Sequence, residues 1–193
     1  MGTSMPNETV LVVDDKPDLA DLYTAWLDDH YEIRTAYGGQ EALEKLDDEV
    51  DVALIDRLMP QTSGDDVLRH AQEAEYDCQI AMVTAVEPDF DIIELGFDEY
   101  IVKPMEREEL VGVVESLLSR LTYDKQLQGF FALASKRAAL QSRKATHELE
   151  ESDVYEQLSA EIQELRSELD ETTEQLTTRD FEVELRQLSD SQA

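Results

Sequence analysis

One cysteine, Cys78, stands in a chain of 193 residues. An internal disulfide and a cysteine-built zinc site are therefore both excluded. Cys78 reads as a small hydrophobe buried beside a strand. The three histidines, His30, His70 and His147, lie far apart in no ligand pattern and are expected to be surface or structural. No apolar run approaches the roughly 20 residues that span a bilayer, and MGTSMPNE has neither the charged nor the apolar region of a secretion signal. A cytoplasmic protein is expected. Positive charge is also scarce: 16 Lys and Arg, six of them Lys, face 46 Asp and Glu, for a net charge of -30. That balance repels nucleic-acid phosphate and anionic membrane unless a local basic patch overrides it. It also destabilises a compact state in dilute salt, whereas near 1 M the Debye length contracts to about 3 Å and screens the repulsion. The composition suits a salt-loaded, halophilic cytoplasm.

Hydrophobic residues make up 41% of the chain, and the long apolar runs all precede residue 121. Four are VLVVDD, VALID, IAMVT and EYIVKP. Each is too short for a buried helix and rich in Val and Ile, so each reads as a strand covered on both faces. Amphipathic segments of helical period lie between them. PDLADLYTAWLDD has Pro17 in its first turn and Leu19, Leu22, Tyr23, Trp26 and Leu27 on one face. QEALEKLDD follows Gly38 and Gly39, GDDVLRHAQEAE starts at Gly64, and DFDIIELG ends at Gly96 as a helix stop. EREELVGVVESLLSRL closes the series. Strand and helix alternate five times, which implies an α/β domain over residues 8–121, a doubly wound five-stranded parallel sheet.

Beyond Leu121 the strands stop, and residues 122–190 are expected to form an all-α helical hairpin or coiled-coil domain. LTYDKQLQGFFALASKRAALQSRKATHELE reads as one helix, or as two broken near Gly129, with Leu127, Phe130, Phe131, Ala134 and Ala138 as its stripe. The next segment has an N-cap at Ser152. Its Leu158, Ile162, Leu165, Leu169, Thr172 and Leu176 are spaced alternately by four and three, a seam that wants a partner helix from the same chain or a second one. TTRDFEVELRQL offers a short last helix with Phe181, Leu185 and Leu188 as packing residues.

The strand ends carry the chemistry. In an open parallel sheet the crevice outside the carboxyl ends collects residues distant in sequence. Here it would collect Asp14, Asp15, Asp56, Thr84 and Lys103. Three carboxylates form a hard oxygen cluster of the kind Mg²⁺ prefers. Asp56, alone on the third and central strand, suits a nucleophile toward phosphorus, while the adjacent Asp14 and Asp15 suit a metal platform. Thr84 and Lys103 can hold phosphoryl oxygens, and phosphoryl transfer needs little beyond positioning and electrostatics.

The order Asp14-Asp15, then Asp56, Met59, Pro60 and Gly64, then Thr84-Ala85, then Lys103-Pro104 resembles the receiver domain of two-component response regulators. The resemblance implies a CheY-like fold in which Asp56 accepts phosphate from a histidine kinase. It further implies that Asp14, Asp15, Asp56 and the backbone carbonyl of Leu58 hold Mg²⁺, and that Thr84, Ala85 and Lys103 sense the phosphoryl group. Tyr100 matches the aromatic switch, and the responding face would cover roughly Asp89 to Arg120. Such a protein is a phosphoacceptor rather than an enzyme, at most catalysing its own phosphorylation and dephosphorylation. The segment from FFALASKRAAL to SELDE resembles the HalX domain found behind receivers in halophilic archaea, and implies an output or dimerisation module.

Two other readings compete. Lys136, Arg137, Arg143 and Lys144, near His147, form a basic cluster that DNA could contact, although no helix-turn-helix pattern accompanies it and the whole-chain charge opposes binding. A phosphohydrolase of the haloacid dehalogenase type uses similar groups, but with its nucleophile on the first strand and its acidic pair late, the reverse of the order here.

Overall fold

The computed structural model describes residues 8–88 and 90–190; the side chains of Asp91 and of residues 175–190 lie outside that description. The chain divides into two compact units, Met1–Leu118 and Ser119–Ala193. In the first, strand and helix alternate as β1 (Thr9–Val13), α1 (Pro17–Leu27), β2 (Glu32–Ala36), α2 (Gly39–Lys45), β3 (Val52–Ile55), α3 (Gly64–Glu73), β4 (Gln79–Thr84) and β5 (Glu99–Val102), followed by the start of α4 (Arg107–Arg143). All the strand pairs are parallel, in the order β2-β1-β3-β4-β5. The carrier of Asp56, β3, is central.

The period-two alternation of side chains sorts the strands into two cores. Val10, Val12, Val52, Leu54, Ala81 and Val83 pack with Tyr23 and Leu27 of α1 and with Leu110, Val114 and Leu117 of α4. Leu11, Val13, Ala53, Ile55, Ile80 and Met82 pack on the other face with Ala42 of α2 and with Val67, Leu68 and Ala71 of α3. Each such side chain contributes about 1.5–3 kcal/mol on burial. A one-residue slip of any strand would exchange the two faces, so the register of the strand ends is fixed by packing. Helix starts follow the sequence signals. Pro17 opens α1, and Ser63 caps α3 in a reciprocal box with Asp66.

Some expectations are corrected. DFDIIELG forms a single 3-10 turn over Phe90–Glu94 rather than an α-helix. Its apolar residues divide: Leu95 packs against the core, while Phe90 is 85% and Ile93 77% exposed. Asp89, which was placed in the responding face, lies outside the described residues. Leu22, assigned to the buried face of α1, is 41% exposed, while Tyr23 and Leu27 are buried.

In the second unit the helix does not break at Gly129, because α4 runs on to Arg143. One glycine costs a helix about 1 kcal/mol. Gly129 faces α6, where an added Cβ would make only ordinary contact with Leu165 Cδ1 at 3.8 Å. The chain turns instead through Lys144 and Ala145 and the short α5 (Thr146–Glu150) into α6 (Asp153–Asp190). Ser152 caps α6, its hydroxyl accepting from the Tyr155 amide at 3.3 Å. The separate last helix is absent, since the backbone of α6 continues through Phe181, Leu185 and Leu188, whose side chains, like that of Leu176, lie outside the described residues.

Contacts between α4 and α6 give an antiparallel hairpin. Gln126 meets Glu168 at 3.4 Å and Thr172 at 3.0 Å, and Gln141 meets Tyr155 at 2.8 Å. The seam faces inward: Ile162 and Leu169 are buried, and Leu158, Leu165 and Thr172 half-buried. Its partner helix comes from the same chain. On α4 the inward positions include Leu127, Phe130 and Ala134, but Phe131 is 60% exposed and Ala138 is also exposed, so neither belongs to the stripe.

Candidate functional site

The carboxyl ends of β1, β3, β4 and β5 bring the expected residues together. Asp14 follows β1, and its amide donates to the Ala36 carbonyl at 3.2 Å, extending the β1–β2 ladder by one bond. Asp56 follows β3, held by its amide on the Val13 carbonyl at 2.9 Å. Lys103 follows β5, its amide on the Thr84 carbonyl at 2.8 Å. Sheet hydrogen bonding therefore sets the position of each residue before its side chain does anything.

The side chains converge on one ammonium. Lys103 Nζ donates to Asp14 Oδ2 at 2.5 Å and to Asp56 Oδ2 at 2.7 Å. Burial would lower the pKa of Lys103, but the hydrogen bonds to both carboxylates and their charges outweigh it and hold the ammonium above its ordinary value. The remaining oxygens are bound locally. Asp14 Oδ1 accepts from the Lys16 amide at 2.9 Å, and Asp56 Oδ1 from the Leu58 amide at 3.2 Å. Asp14, Asp56 and Thr84 are nearly inaccessible, at 1%, 5% and 1% exposure. Such buried polar groups persist only when satisfied, and no buried side-chain polar atom among the described residues lacks a partner. Asp15 is half-buried at the rim.

Carboxylate oxygens of Asp14, Asp15 and Asp56 lie within 4.8 Å of one another. An all-oxygen donor set of this span fits a small hard cation that keeps several waters. Thr84 presents its hydroxyl beside the Val86 amide at 3.4 Å, and Ala85 is exposed at the start of the same loop. Tyr100 stands on β5, three residues before Lys103. Its hydroxyl donates to the Val86 carbonyl at 2.9 Å, and its ring leans on Phe97 with centroids 5.5 Å apart.

Several supporting roles escaped the sequence reading, although Gly64 and Tyr23 were named there for other reasons. Gly64 starts α3 so close to the strand end that an added Cβ would lie 2.5 Å from the Asp56 carbonyl oxygen and 2.8 Å from Arg57 Cα. Arg57 holds Asp65 through Nε at 3.2 Å, tying the residue after Asp56 to the first turn of α3. Tyr23, legible only as an apolar-face residue, lies near enough to feel the charges of Lys103, Asp14 and Asp56. Burial chiefly raises its pKa, with Lys103 opposing and the two carboxylates adding to the rise.

The basic cluster of the second unit is not one patch. At about 100° per residue, Lys136 and Arg143 share a line on α4, Arg137 lies about a quarter-turn away, and Lys144 stands in the turn after the helix. Arg137 is half-buried toward the seam, and Lys144 pairs with Glu148 at 3.2 Å.

With this geometry in place, comparison with known proteins is decisive: residues 10–115 match the family model of the response regulator receiver domain. The chain belongs to the receiver family. Behind the receiver, residues 119–185 match the HalX domain. A putative transcriptional regulator of Haloferax volcanii is 48% identical over 162 residues, covering 83% of this chain and 28% of the relative. The transcriptional regulatory protein CpxR of Klebsiella pneumoniae is 34% identical over 123 residues, covering 62% of this chain and 53% of CpxR. The chain thus spans about half the length of that bacterial relative and under a third of the haloarchaeal one. Among solved structures, the response regulator TrrA of Thermotoga maritima in complex with Mg²⁺-BeF superposes with a TM-score of 0.51 at 33% identity, covering 57% of this chain and 99% of TrrA. Receiver domains hold Mg²⁺ at their acidic site, as in that complex, and the three carboxylates here form such a cluster. The acidic, lysine-poor composition agrees with the haloarchaeal relative. No helix among the described residues is long and apolar enough to cross a membrane.

Proposed function

We propose that this receiver accepts a phosphoryl group on Asp56 from a cognate histidine kinase and relays its arrival to the C-terminal hairpin. The observation that carries this reading is the Lys103 ammonium seated between Asp14 and Asp56 at the ends of three strands. A carboxylate attacking an anionic phosphoryl group needs its charge offset. Lys103 supplies one positive charge, while Asp14, Asp15, Asp56 and the Leu58 carbonyl are the groups that would hold Mg²⁺. When bound, the ion offsets charge on carboxylate and phosphoryl oxygens. An Asp56 oxygen forms a bond to phosphorus as the phosphorus–nitrogen bond to the kinase histidine breaks, and the imidazole leaves with that electron pair.

The modification replaces the single carboxylate charge with a phosphoryl group of nearly two, a net gain of about one negative charge at a buried strand end. Lys103 is free to exchange its Asp14 contact for a phosphoryl oxygen, and the Thr84 hydroxyl and Ala85 amide stand at the end of the neighbouring strand to meet others. Movement of Thr84 acts on the loop whose Val86 carbonyl holds Tyr100. Tyr100 is therefore the switch residue, and β5 with the start of α4 is the face that reports the change. The bound phosphoryl group biases an existing equilibrium between two surface states.

The protein is a phosphoacceptor of the cytoplasm that works in high salt. Phosphorylation with a small phosphodonor and Mg²⁺ in molar KCl tests the assignment. Asp56→Asn is expected to abolish acid-labile phosphate uptake with circular dichroism unchanged, and undiminished labelling of that variant refutes the reading.

A further inference from the structure

Asp14, Asp56 and Lys103 share one face of the sheet. Each stands two residues beyond a core residue of its strand, Val12, Leu54 and Ile101 respectively, and side chains two apart in a strand point the same way. The alternation holds to the site, because the amides of all three continue the ladder onto neighbouring strands. In the core on that face lie the buried positions of α1. They include Ala20, Tyr23 and Leu27, of which only Tyr23 carries a polar side-chain atom.

Tyr23 is directed toward the strand ends. Its helix begins at Pro17, three residues after Asp14, and helical side chains lean toward the helix N-terminus. Ala20, one turn nearer the site, carries only a methyl, over which a phenol ring can extend. The Trp26 ring, one turn further along, steadies the phenol with centroids 5.5 Å apart. Beyond burial, the charges acting on Tyr23 are those of Lys103, Asp14 and Asp56. Its hydroxyl nevertheless makes no hydrogen bond among the described residues. Tyr23 is 5% exposed, and since no wholly buried polar atom among these residues lacks a partner, that remnant includes the hydroxyl oxygen. The tip of the side chain therefore meets solvent beside the site.

A phenol hydroxyl donates one hydrogen bond and accepts others. Asp14 will need such a donor. It is 1% exposed, with Oδ1 on the Lys16 amide and Oδ2 on the Lys103 ammonium. When Lys103 turns to a phosphoryl oxygen, Oδ2 loses its partner in a place where an unpaired charge is costly.

We propose that the Tyr23 hydroxyl then takes the place of Lys103 on Asp14, donating to Oδ2 while its own oxygen accepts from the departing ammonium. Tyr23 is thus a positioning residue, which does not touch phosphorus but stabilises the arrangement in which Lys103 serves the phosphoryl group. The proposal deepens the reading of Asp56 as phosphoacceptor, and rests on it for the event that moves Lys103.

Binding of beryllofluoride with Mg²⁺, a mimic of the phosphoryl group, tests this on the full chain in molar KCl. Tyr23→Phe keeps the ring and deletes the oxygen. It should weaken beryllofluoride binding by about tenfold, the worth of one hydrogen bond to a charged group, with thermal stability and circular dichroism retained. A second arm needs neither phosphate nor metal, because Lys103→Met removes the ammonium outright. With tyrosine isotopically labelled at Cζ, the resonance missing from Tyr23→Phe identifies Tyr23. Its hydroxyl proton should exchange slowly in metal-free Lys103→Met protein, held by Asp14, and quickly once Asp14→Ala is added. Beryllofluoride binding by Tyr23→Phe equal to that of the wild type, or proton exchange in Lys103→Met indifferent to Asp14→Ala, overturns the proposal. If Asp56→Asn protein still takes up phosphate, the acceptor assignment fails instead, and the Lys103→Met comparison still decides the role of Tyr23.

Discussion

The receiver and the hairpin bury their side chains in different ways, and the difference decides what each can do. In the receiver, two cores on opposite faces of a sheet are fully closed, and strand ends distant in sequence are locked within hydrogen-bonding distance of one another. That rigidity allows Asp14, Asp56 and Thr84 to sit almost without solvent and still be satisfied. In the hairpin beyond Leu121 only Ile162 and Leu169 are buried among the described residues. The rest is half-covered seam and charged exterior. A site for chemistry needs the first kind of environment, and a surface for a partner is made from the second.

The contrast can be broken from the receiver side first. Leu54 is 2% exposed at the centre of β3, and Leu54→Ala is expected to cost about 3–5 kcal/mol, since a closed core cannot collapse around the cavity. Denaturant unfolding in molar KCl measures it. Ile162→Ala, in the thin seam, should cost less, about 2–3 kcal/mol, because neighbouring side chains can move in. Equal costs would mean that the hairpin is as tightly packed as the receiver. Gly64→Val sharpens the point at the site itself. Its side chain would enter the space against the Asp56 carbonyl, and about 1–3 kcal/mol of overpacking strain should accompany slower phosphate uptake.

Smaller effects probe polarity. The Thr172 hydroxyl, at the edge of the seam, has its one proton within reach of both the Glu168 carbonyl at 2.9 Å and Gln126 Oε1 at 3.0 Å. Thr172→Val should cost about 1 kcal/mol, the net worth of one hydrogen bond. Cys78, half-buried before β4, has its thiol pushed up to about 12, first by burial and then by Asp98, Asp51 and Asp77. A folded pKa above the unfolded value near 9 means that this contribution to stability is complete below pH 9 and is lost as pH rises toward 12. Iodoacetamide should therefore modify Cys78 far more slowly in the native protein than in urea at pH 8.5, where the unfolded thiol is already partly ionised.

How much was legible follows the same division. Asp14, Asp56, Thr84 and Lys103 could be placed from sequence because each ends an apolar run, and a parallel sheet gathers its carboxyl ends. The inward seam of α6 could be read because its spacing is regular. The 3-10 turn at Phe90–Glu94 could not, since eight residues with four apolar positions satisfy several helical periods equally. The continuity of α4 past residue 121 was hidden because a shift of composition resembles a boundary even where the backbone hydrogen bonds continue. Gly64 was legible as a motif residue but not as a steric requirement, which depends on the path of the loop after Asp56.

The central claim is that phosphate enters at one residue, the strand-end carboxylate held by Lys103. Its most direct test is to phosphorylate the wild-type chain with a small phosphodonor and Mg²⁺, reduce the aspartyl phosphate with borohydride to homoserine, and map the peptides by mass spectrometry. The account predicts homoserine at position 56 and at no other carboxylate. Homoserine at position 14 or 15, with Asp56 unmodified, would contradict it.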